Sequence, residues 1–551
     1  MTTMINWLKV SFVILITLAI TTNRVKVDTS GFVHNSIKPR DSNSAASVGT
    51  TERISVSSDG TPGNNYSSKP SISADGHYIA FQSSADNFAP IGSLDQIFVK
   101  DRITGQMTLI SIANGGTHAS SLSSNPSISA NGQFVAFTSM ANNLVEGDTN
   151  LCHDVFVHDM QSGNTTLVSI ASDGSLGTGC SGAGAGPQTI SSDGRFVVFD
   201  SSASDLVSDD TNGKGDVFVH DRQTGSTERV SVASDGTQGD DSSSKPSISA
   251  NGRYISFASN ATNLVVGDNN GDKDIFVHDL ETGQTERVSV ASDGTAGGTS
   301  YFDYAYSDLS DDGQFVAFVS RSNVLVTDDS NGEHDVFVHD RDTGNTERVS
   351  VASDGTQGNG SSSQYGFPSI SGDGRFIAFQ SAASNLVNGD SNESSDVFVH
   401  DQQTGETVPI SITNDGTLGN SGSNNPSITS DGLLVAFDSV ASNFVCGDTP
   451  TADIYVYDRQ GSGKSIAGNV TSISGSLFAG VTISAGQGLI TTTNSNGDYA
   501  FSELISCTYK VQADLEGHFF APTSMVISVP PGTSSADFVE LYAVFLPILT
   551  R

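Results

Sequence analysis

The chain has 551 residues, of which 25 are Lys or Arg and 61 are Asp or Glu, so its formal net charge is −36. This excess of negative charge repels nucleic-acid phosphates and anionic membrane surfaces, and the sequence contains no basic patch, so we expect no nucleic-acid partner. Hydrophobic residues make up 36% of the chain and charged residues 16%, and 57 residues are glycine. This composition favours an all-β protein over a helical one.

Residues 1–22 have the features of a secretory signal peptide. Lys9 precedes an apolar run, Val10–Ile20, that is too short to span a bilayer. An uncleaved N-terminal anchor is the alternative. Residues 23–50 are polar and are predicted to be a linker. We therefore expect a secreted, extracellular or cell-envelope protein with no membrane span in its mature chain.

The strongest signal is an internal repeat, because the segment Ser71–Phe81 recurs seven times at a mean spacing of about 59 residues. Its conserved turn glycine occupies these positions: Gly76, Gly132, Gly194, Gly252, Gly313, Gly374 and Gly432. Each copy continues with a second apolar run, such as Asp216–Asp221, and the first six copies then have a Thr-Gly or Ser-Gly turn. A run such as Glu286-Arg-Val-Ser-Val290 follows that turn.

Each repeat is predicted to form four short strands separated by Asp-Gly and Thr-Gly turns. The predicted strands are Pro-Ser-Ile-Ser, Tyr-Ile-Ala-Phe, Ile-Phe-Val-His and Arg-Val-Ser-Val. Such units describe the blades of a β-propeller, here with seven blades over residues 51–463. The seventh copy lacks a fourth strand, and an unpaired strand of that type, Thr51–Val56, precedes the first copy. We expect it to pair near Ile454–Tyr457 and close the ring.

Two segments carry a family resemblance, namely Ser247–Phe257 and Asp274–Asp279. Together they resemble the WD-like propeller repeats of TolB-type bacterial envelope proteins. The resemblance covers residues 51–458 and implies a β-propeller scaffold that binds other molecules.

Residues 464–551 differ in composition from the repeats. The segments Asn496–Phe501 and Glu516–Phe519 resemble those of the carboxypeptidase-regulatory-like, prealbumin-like domain found on secreted bacterial proteins. That resemblance implies a small, non-catalytic β-sandwich. The terminal segment Val544–Arg551 is apolar but too short to span a membrane, and we expect it to be a last strand or a sorting tail.

The loops between the second and third strands repeat an acidic pattern, Asp-x-Asn-x-x-x-Asp, in five copies. In propellers with this strand order, these loops share one face with the loops that join successive blades, and we call it the long-loop face. Carboxylate and amide oxygens are the ligands that Ca²⁺ prefers, so the pattern predicts calcium sites. Asx-turns that only cap strands are the alternative. The residues concerned are Asp148, Asn150, Asp154, Asp210, Asn212, Asp216, Asp268, Asn270, Asp272, Asp274, Asp329, Asn331, Asp335, Asp390, Asn392 and Asp396.

Other candidate residues follow from single features of the sequence. Five His-Asp pairs at the ends of the predicted third strands recur too regularly for catalysis, and we expect them to form structural hydrogen bonds. Cys152 and Cys180 lie in neighbouring loops of one face, where a disulfide is possible. Exposed aromatic residues suit sugar or peptide contacts, although packing within the loops is the alternative. These aromatic residues are Tyr301, Phe302, Tyr304, Tyr365 and Phe367.

Two classes of function remain open. The first is a non-catalytic binding or scaffold protein that engages a protein or glycan through the long-loop face, with calcium as a stabilising cofactor. The second is an extracellular propeller hydrolase or lyase that acts on polysaccharide or peptide. The sequence assigns no catalytic constellation, so we expect the first.

Overall fold

The computed structural model describes residues 49–541 except 93, 183–187, 299–304, 365, 462–464, 487–488, 503, 505–507, 517 and 529–532. In this described part the regular secondary structure is entirely β-strand, as the composition predicted. No helix there is long and apolar enough to cross a membrane. The predicted leader, almost all of the linker and the apolar tail lie outside the described residues.

Residues 50–458 form seven antiparallel sheets of four strands each, numbered 1 to 7 along the chain. The first strand, β1 (Thr50–Arg53), belongs to sheet 7. Sheet 1 contains β2 (Ser67–Ile72), β3 (Tyr78–Ser83), β4 (Gln96–Asp101) and β5 (Met107–Leu109). Sheet 2 contains β6 (Ser123–Ile128), β7 (Phe134–Ser139), β8 (Asp154–Asp159) and β9 (Asn164–Leu167). Sheet 3 contains β10 (Ser181–Gly182), β11 (Phe196–Ser201), β12 (Asp216–Asp221) and β13 (Ser226–Arg229). Sheet 4 contains β14 (Ser243–Ile248), β15 (Tyr254–Ser259), β16 (Asp274–Asp279) and β17 (Thr285–Arg287). Sheet 5 contains β18 (Ser307–Leu309), β19 (Phe315–Ser320), β20 (Asp335–Asp340) and β21 (Asn345–Arg348). Sheet 6 contains β22 (Ser369–Ile370), β23 (Phe376–Ser381), β24 (Asp396–Asp401) and β25 (Glu406–Pro409). Sheet 7 contains β26 (Ser423–Ile428), β27 (Leu434–Ser439), β28 (Asp453–Asp458) and β1.

The two middle strands of each sheet are buried on both faces, so their sequences are almost continuously apolar rather than alternating. In sheet 4, for example, Phe257 of β15 lies opposite Phe276 of β16, and the two rings stack with centroids 5.9 Å apart. Apolar residues of neighbouring sheets share hydrophobic clusters, as Val217 of sheet 3 does with Ile255 of sheet 4. This packing between sheets is what a β-propeller requires.

The series of sheets returns to its start. Strand β1 pairs antiparallel with β28, with Thr51 opposite Tyr457 and Arg53 opposite Tyr455, which is the pairing predicted from the unpaired N-terminal strand. Ile54 follows β1 and is buried in one cluster with residues of sheets 1 and 7. The N-terminal strand therefore covers the edge that β28 would otherwise expose.

The bounds of two strands in each repeat differ from the prediction. In sheets 1, 2, 4 and 7 the first strand begins three residues before the predicted proline, and its pairing shifts at a β-bulge, for example between Ser244 and Ser247. The fourth strand ends earlier than predicted, at Arg287 in sheet 4. Beyond that end the Val288 N–H still donates to Ile275 O, but the Ile275 N–H donates to the Ser289 hydroxyl, which in turn donates to Asp274.

Residues 465–541 form two further sheets. One contains β29 (Ser465–Ser472), β32 (Asp498–Phe501), β34 (Phe519–Ala521), β36 (Thr533–Ser535) and β37 (Phe538–Leu541). The other contains β30 (Thr482–Ser484), β31 (Ile490–Thr492), β33 (Thr508–Asp514) and β35 (Met525–Ser528). Both sheets contribute to one hydrophobic cluster, which includes Val470, Ile483, Val511 and Phe538.

Candidate functional site

A ring of polar residues lies near the start of the first strands, on the long-loop face. Lys69, Asn125, Lys245 and Asn425 occupy equivalent positions in sheets 1, 2, 4 and 7, each at a β-bulge, with φ between 51° and 58°. A positive φ at a non-glycine residue costs free energy, and bulges re-aim side chains, so such positions point to function. The Lys69 ammonium donates to Asn125 Oδ1 in the next sheet at 2.7 Å, so side chains of this set meet between sheets. We call these four residues the mouth residues.

Buried carboxyl groups lie behind the mouth residues and balance their charge. Asp438 accepts the Lys69 N–H and the Asn425 amide, and burial raises the pKa of Asp438 to about 6. Burial also raises the pKa of Asp200, close to Lys245. Burial lowers the pKa of Lys69, and repulsion from Lys245 lowers it further. The mouth therefore offers ammonium, amide and carboxyl groups within one small region.

At the opposite ends of the first strands, the Asp-Gly turns of neighbouring sheets are hydrogen-bonded to each other. Asp311 N–H donates to Gly372 O at 3.0 Å, and Gly372 N–H donates to Ser430 O at 2.8 Å. A side chain at position 372 would collide with Asp311 and Ser430, so glycine is required there. A narrow cavity lies between the first strands at this level, and Asp308 lines it.

The acidic loops place two carboxylates together in sheets 2 to 7. One comes from the loop and the other from the first residue of the third strand, and we call each such pair an acid pocket. The pairs are Asp148 and Asp154, Asp210 and Asp216, Asp268 and Asp274, Asp329 and Asp335, Asp390 and Asp396, and Asp448 and Asp453. The loop asparagine of sheet 3 bridges backbone groups, since Asn212 donates to Gly239 O and accepts the Lys214 N–H, whereas Asn270 and Asn392 donate to the strand aspartates of sheets 4 and 6.

An arginine at the end of the fourth strand enters four of the acid pockets. In sheet 4, Arg287 lies 3.0 Å from Asp268 and 3.4 Å from Asp274, and in sheet 7 Arg53 makes the same contacts with Asp448 and Asp453. Arg229 and Arg348 are the corresponding residues in sheets 3 and 5. Gln238 and Gln357 also donate to both carboxylates of those two pockets. These loops therefore already contain a cation.

Sheets 2 and 6 lack this arginine, because Leu167 and Pro409 stand at its position. Between residues 49 and 541, outside the gaps given above, no group of three or more His, Cys, Asp or Glu side chains is arranged to hold a metal. Asp272, the additional acid of the sheet 4 loop, lies near Asp274, and burial raises its pKa. The calcium sites expected from the five loops stay a prediction.

The repeated histidines join neighbouring sheets. Nδ1 of His278 lies 2.8 Å from Thr285 Oγ1, and that hydroxyl donates to Val232 O of the preceding sheet at 2.6 Å. The same chain recurs at the histidines of sheets 2, 3, 5 and 6, and burial lowers the pKa of each: His158, His220, His339 and His400. The following aspartates point elsewhere, since Asp279 holds Arg253 in a bidentate contact. This is the structural hydrogen bonding that we expected.

The remaining candidate residues have mixed outcomes. Phe367 is buried and packs edge-on against Tyr306, with ring centroids 4.4 Å apart, so its side chain fills the loop. The other four aromatic candidates, Tyr301, Phe302, Tyr304 and Tyr365, lie outside the described residues. Cys152 and Cys180 form a disulfide with Cα atoms 4.9 Å apart, which is typical of proteins outside the cytoplasm. Cys446 is also disulfide-bonded.

No protein-family model and no curated protein matches the chain. Solved structures do match. The putative TolB from Agrobacterium tumefaciens is 18% identical, with a TM-score of 0.32, over 52% of this chain and 80% of its own. An oligogalacturonate lyase in complex with manganese is 12% identical, with a TM-score of 0.44, over 75% and 94%. The β-propeller domain of the trilobed protease from Pyrococcus furiosus is 12% identical, with a TM-score of 0.43, over 72% and 95%.

Sequence reasoning missed the mouth residues and the arginines of the acid pockets. The signal for the first was a Lys or Asn directly before the proline in four copies. The signal for the second was the Glu-Arg pair that precedes Val-Ser or Ile-Ser in the four sequences with an occupied pocket.

Proposed function

We propose that the chain is a seven-bladed β-propeller followed by a small β-sandwich, and that it works in the cell envelope or outside the cell. In this proposal it is a non-catalytic binding or scaffold protein that engages a protein or glycan through the long-loop face. The ligand lies over the mouth residues, at the centre of that face. The disulfide between Cys152 and Cys180 agrees with an extracytoplasmic location.

The observation that carries the proposal is the set of bulges at the mouth. Four non-glycine residues hold a left-handed backbone conformation that a regular strand would not require, and two of them are lysines. Strain of this kind persists where it places side chains for a purpose. Ammonium and amide groups donate hydrogen bonds to the carboxylate, carbonyl and hydroxyl oxygens that peptides and glycans present. The mouth is therefore suited to a polar ligand.

An extracellular hydrolase or lyase is the alternative. Asp308 is where a catalytic proposal would begin, because it is buried in the narrow cavity and its pKa is raised to about 6. However, its carboxyl oxygens accept the Ser247 hydroxyl at 3.0 Å and the Ile370 N–H at 3.1 Å. Serine or threonine occupies its position in the other six repeats, so its contacts continue a structural ring of hydroxyl groups. These contacts favour binding over catalysis.

The experiment compares ligand capture by three forms of the purified chain. Wild type, the double variant Lys69→Met and Lys245→Met, and the control Lys510→Met are tested against a glycan array and against envelope extracts. Methionine keeps the apolar stem and removes the charge, and Lys510 is an exposed lysine of the C-terminal sheets. We expect the double variant to lose at least tenfold in affinity for the captured ligand and the control to keep it.

Two results would contradict the proposal. A double variant that binds as tightly as wild type would place the ligand elsewhere on the chain. The second is turnover of a polysaccharide or peptide substrate that Asp308→Asn abolishes, which would show that the chain is a hydrolase or lyase.

A further inference from the structure

The acid pocket of sheet 2 differs from those of sheets 3, 4, 5 and 7 in having no positive partner. Leu167 replaces the arginine, and Leu176 replaces the glutamine that donates to both carboxylates in sheets 3 and 5. Leu167 and Leu176 thus stand where sheets 3 and 5 place an arginine and a glutamine. Asp148 and Asp154 are nevertheless buried, at 8% and 1% exposure.

One oxygen of this pocket has no hydrogen-bond partner. Oδ1 of Asp154 accepts the Ser169 hydroxyl at 2.8 Å, whereas Oδ2 is buried without a partner. The amide of Asn150 donates to Gly177 O at 3.2 Å and makes no hydrogen bond to this oxygen. A buried carboxylate oxygen without a partner is costly, so something outside the protein side chains is expected to satisfy it.

Equivalent atoms show that this oxygen faces the interior of the pocket. Oδ2 of Asp216 accepts Gln238, and Oδ2 of Asp274 and of Asp453 faces the arginine of its own sheet. In sheet 2 the same atom therefore points to the place that a cation occupies in the other sheets.

The loop that carries the pocket is fixed independently of any ion. The disulfide joins Cys152, within the loop, to Cys180 in the loop that leads to sheet 3. Asn150 spans the same two loops by accepting the Cys152 N–H and donating to Gly177 O. A preorganised loop loses little conformational entropy when an ion binds.

We propose that the acid pocket of sheet 2 binds one calcium ion through Asp148 and Asp154, in the place that an arginine holds in sheets 3, 4, 5 and 7. Calcium accepts 6–8 oxygen ligands, so backbone carbonyls and water complete the shell. The proposal narrows the five-loop expectation to one loop and is independent of the ligand at the mouth residues.

Sheet 6 also lacks the arginine, but we do not propose a calcium site there. Pro409 stands at the arginine position there, but the Asn392 amide donates to Asp396 Oδ2 at 2.8 Å. That oxygen is therefore satisfied within the protein. Sheet 1 has no acid pocket to fill, because Gln96 replaces the strand aspartate and receives the Ser111 hydroxyl.

The test measures calcium binding and thermal unfolding of the purified full chain. Trp7 is the only tryptophan and lies in the predicted leader, so unfolding is followed by circular dichroism. Titration calorimetry is expected to give one calcium site. At a hundredfold excess over Kd, calcium is expected to raise Tm by about 3 °C relative to EGTA at constant ionic strength. Magnesium, which demands stricter octahedral geometry, is expected to bind at least tenfold more weakly.

The decisive variant is Leu167→Arg, which gives sheet 2 the arginine of sheet 3. It is expected to bind no calcium and to melt in EGTA at or above the Tm of calcium-loaded wild type. If that variant does not fold, Asp154→Asn serves, because it keeps the side-chain shape and removes the charge. Asp216→Asn in sheet 3 is the matched control and is expected to keep the calcium response. A wild type without calcium uptake, or calcium binding that survives Leu167→Arg or Asp154→Asn, would overturn the proposal.

Discussion

The pairing of β1 with β28 allows a prediction of how much the Ile54 side chain contributes to the free energy of unfolding. Ile54 is 1% exposed and packs in one cluster with Ile72 of sheet 1 and Ile454 of sheet 7. Replacing it with alanine removes three buried carbons and leaves a cavity where two sheets meet. We expect Ile54→Ala to lower the free energy of unfolding by about 2–5 kcal/mol.

A matched control separates the closing strand from an ordinary fourth strand. Ile410 holds the equivalent position in sheet 6, is 0% exposed, and directly follows β25, a strand that comes immediately after its sheet neighbour in the chain. If β1 is as firmly held as the other fourth strands, Ile54→Ala and Ile410→Ala cost the same to within about 1 kcal/mol. Equilibrium urea unfolding, followed by circular dichroism, measures both variants.

The opposite result has a clear signature. A loosely paired N-terminal strand would open before the rest of the protein, so Ile54→Ala would cost less than about 0.5 kcal/mol while Ile410→Ala kept its full cost. That outcome would refute the inference that β1 closes the series. Deleting residues 51–57 should then also be harmless, whereas we expect it to expose β28 and to leave Asp448 and Asp453 without Arg53.

Three further predictions concern hydrogen bonds and protons. Thr285→Val breaks the chain from His278 to the preceding sheet and should cost about 1–3 kcal/mol in urea unfolding, whereas Thr285→Ser should restore most of the loss. Asn414 accepts the Thr51 N–H and donates to Leu504 O, so Asn414→Ala should lower Tm more than Asn114→Ala, whose side chain accepts only the equivalent N–H. Four buried aspartates have a pKa raised to about 6, so between about pH 4 and 6 the folded chain binds protons that the unfolded chain has released. The free energy of unfolding in EGTA should therefore fall as the pH rises through that window. A rise would contradict these assignments. The four aspartates are Asp308, Asp335, Asp396 and Asp438.

The middle strands were predictable because burial on both faces leaves an unmistakable pattern. Runs such as Phe-Val-Ala-Phe, followed by Asp-Val-Phe-Val-His-Asp, allow no alternative to a strand inside packed sheets. The closing pair was predictable for another reason: Thr51–Val56 has the sequence of a fourth strand, and the seventh repeat has none. Repetition made each inference stronger than one copy could.

The first and fourth strands were less predictable, because side chains there replace backbone contacts. The bulge at Lys69 shifts the register of β2, and no local pattern in Ser-Ser-Lys-Pro reveals a positive φ at the lysine. Next to the early end of β17, the Ile275 N–H donates to the Ser289 hydroxyl, and the sequence alone does not reveal which group that hydroxyl will contact. For Phe367 the sequence left surface exposure and packing within the loops open, and the structure shows packing, against Tyr306 of the loop that leads to another sheet.

The acid pockets show that each sheet of this repeat protein has to compensate its own buried carboxylates. Sheets 3, 4, 5 and 7 keep two carboxylates and an arginine, and sheet 1 has lost both the strand aspartate and the arginine. Each sheet contacts only its neighbours, so a buried charge must be compensated where it arises. Sheet 2 retains its carboxylates without a positive partner or a donor to Asp154 Oδ2, and the compensation must therefore come from a proton or from a cation in solution. Protons and calcium compete for the same two carboxylates, so calcium binding at this pocket should weaken as the pH falls.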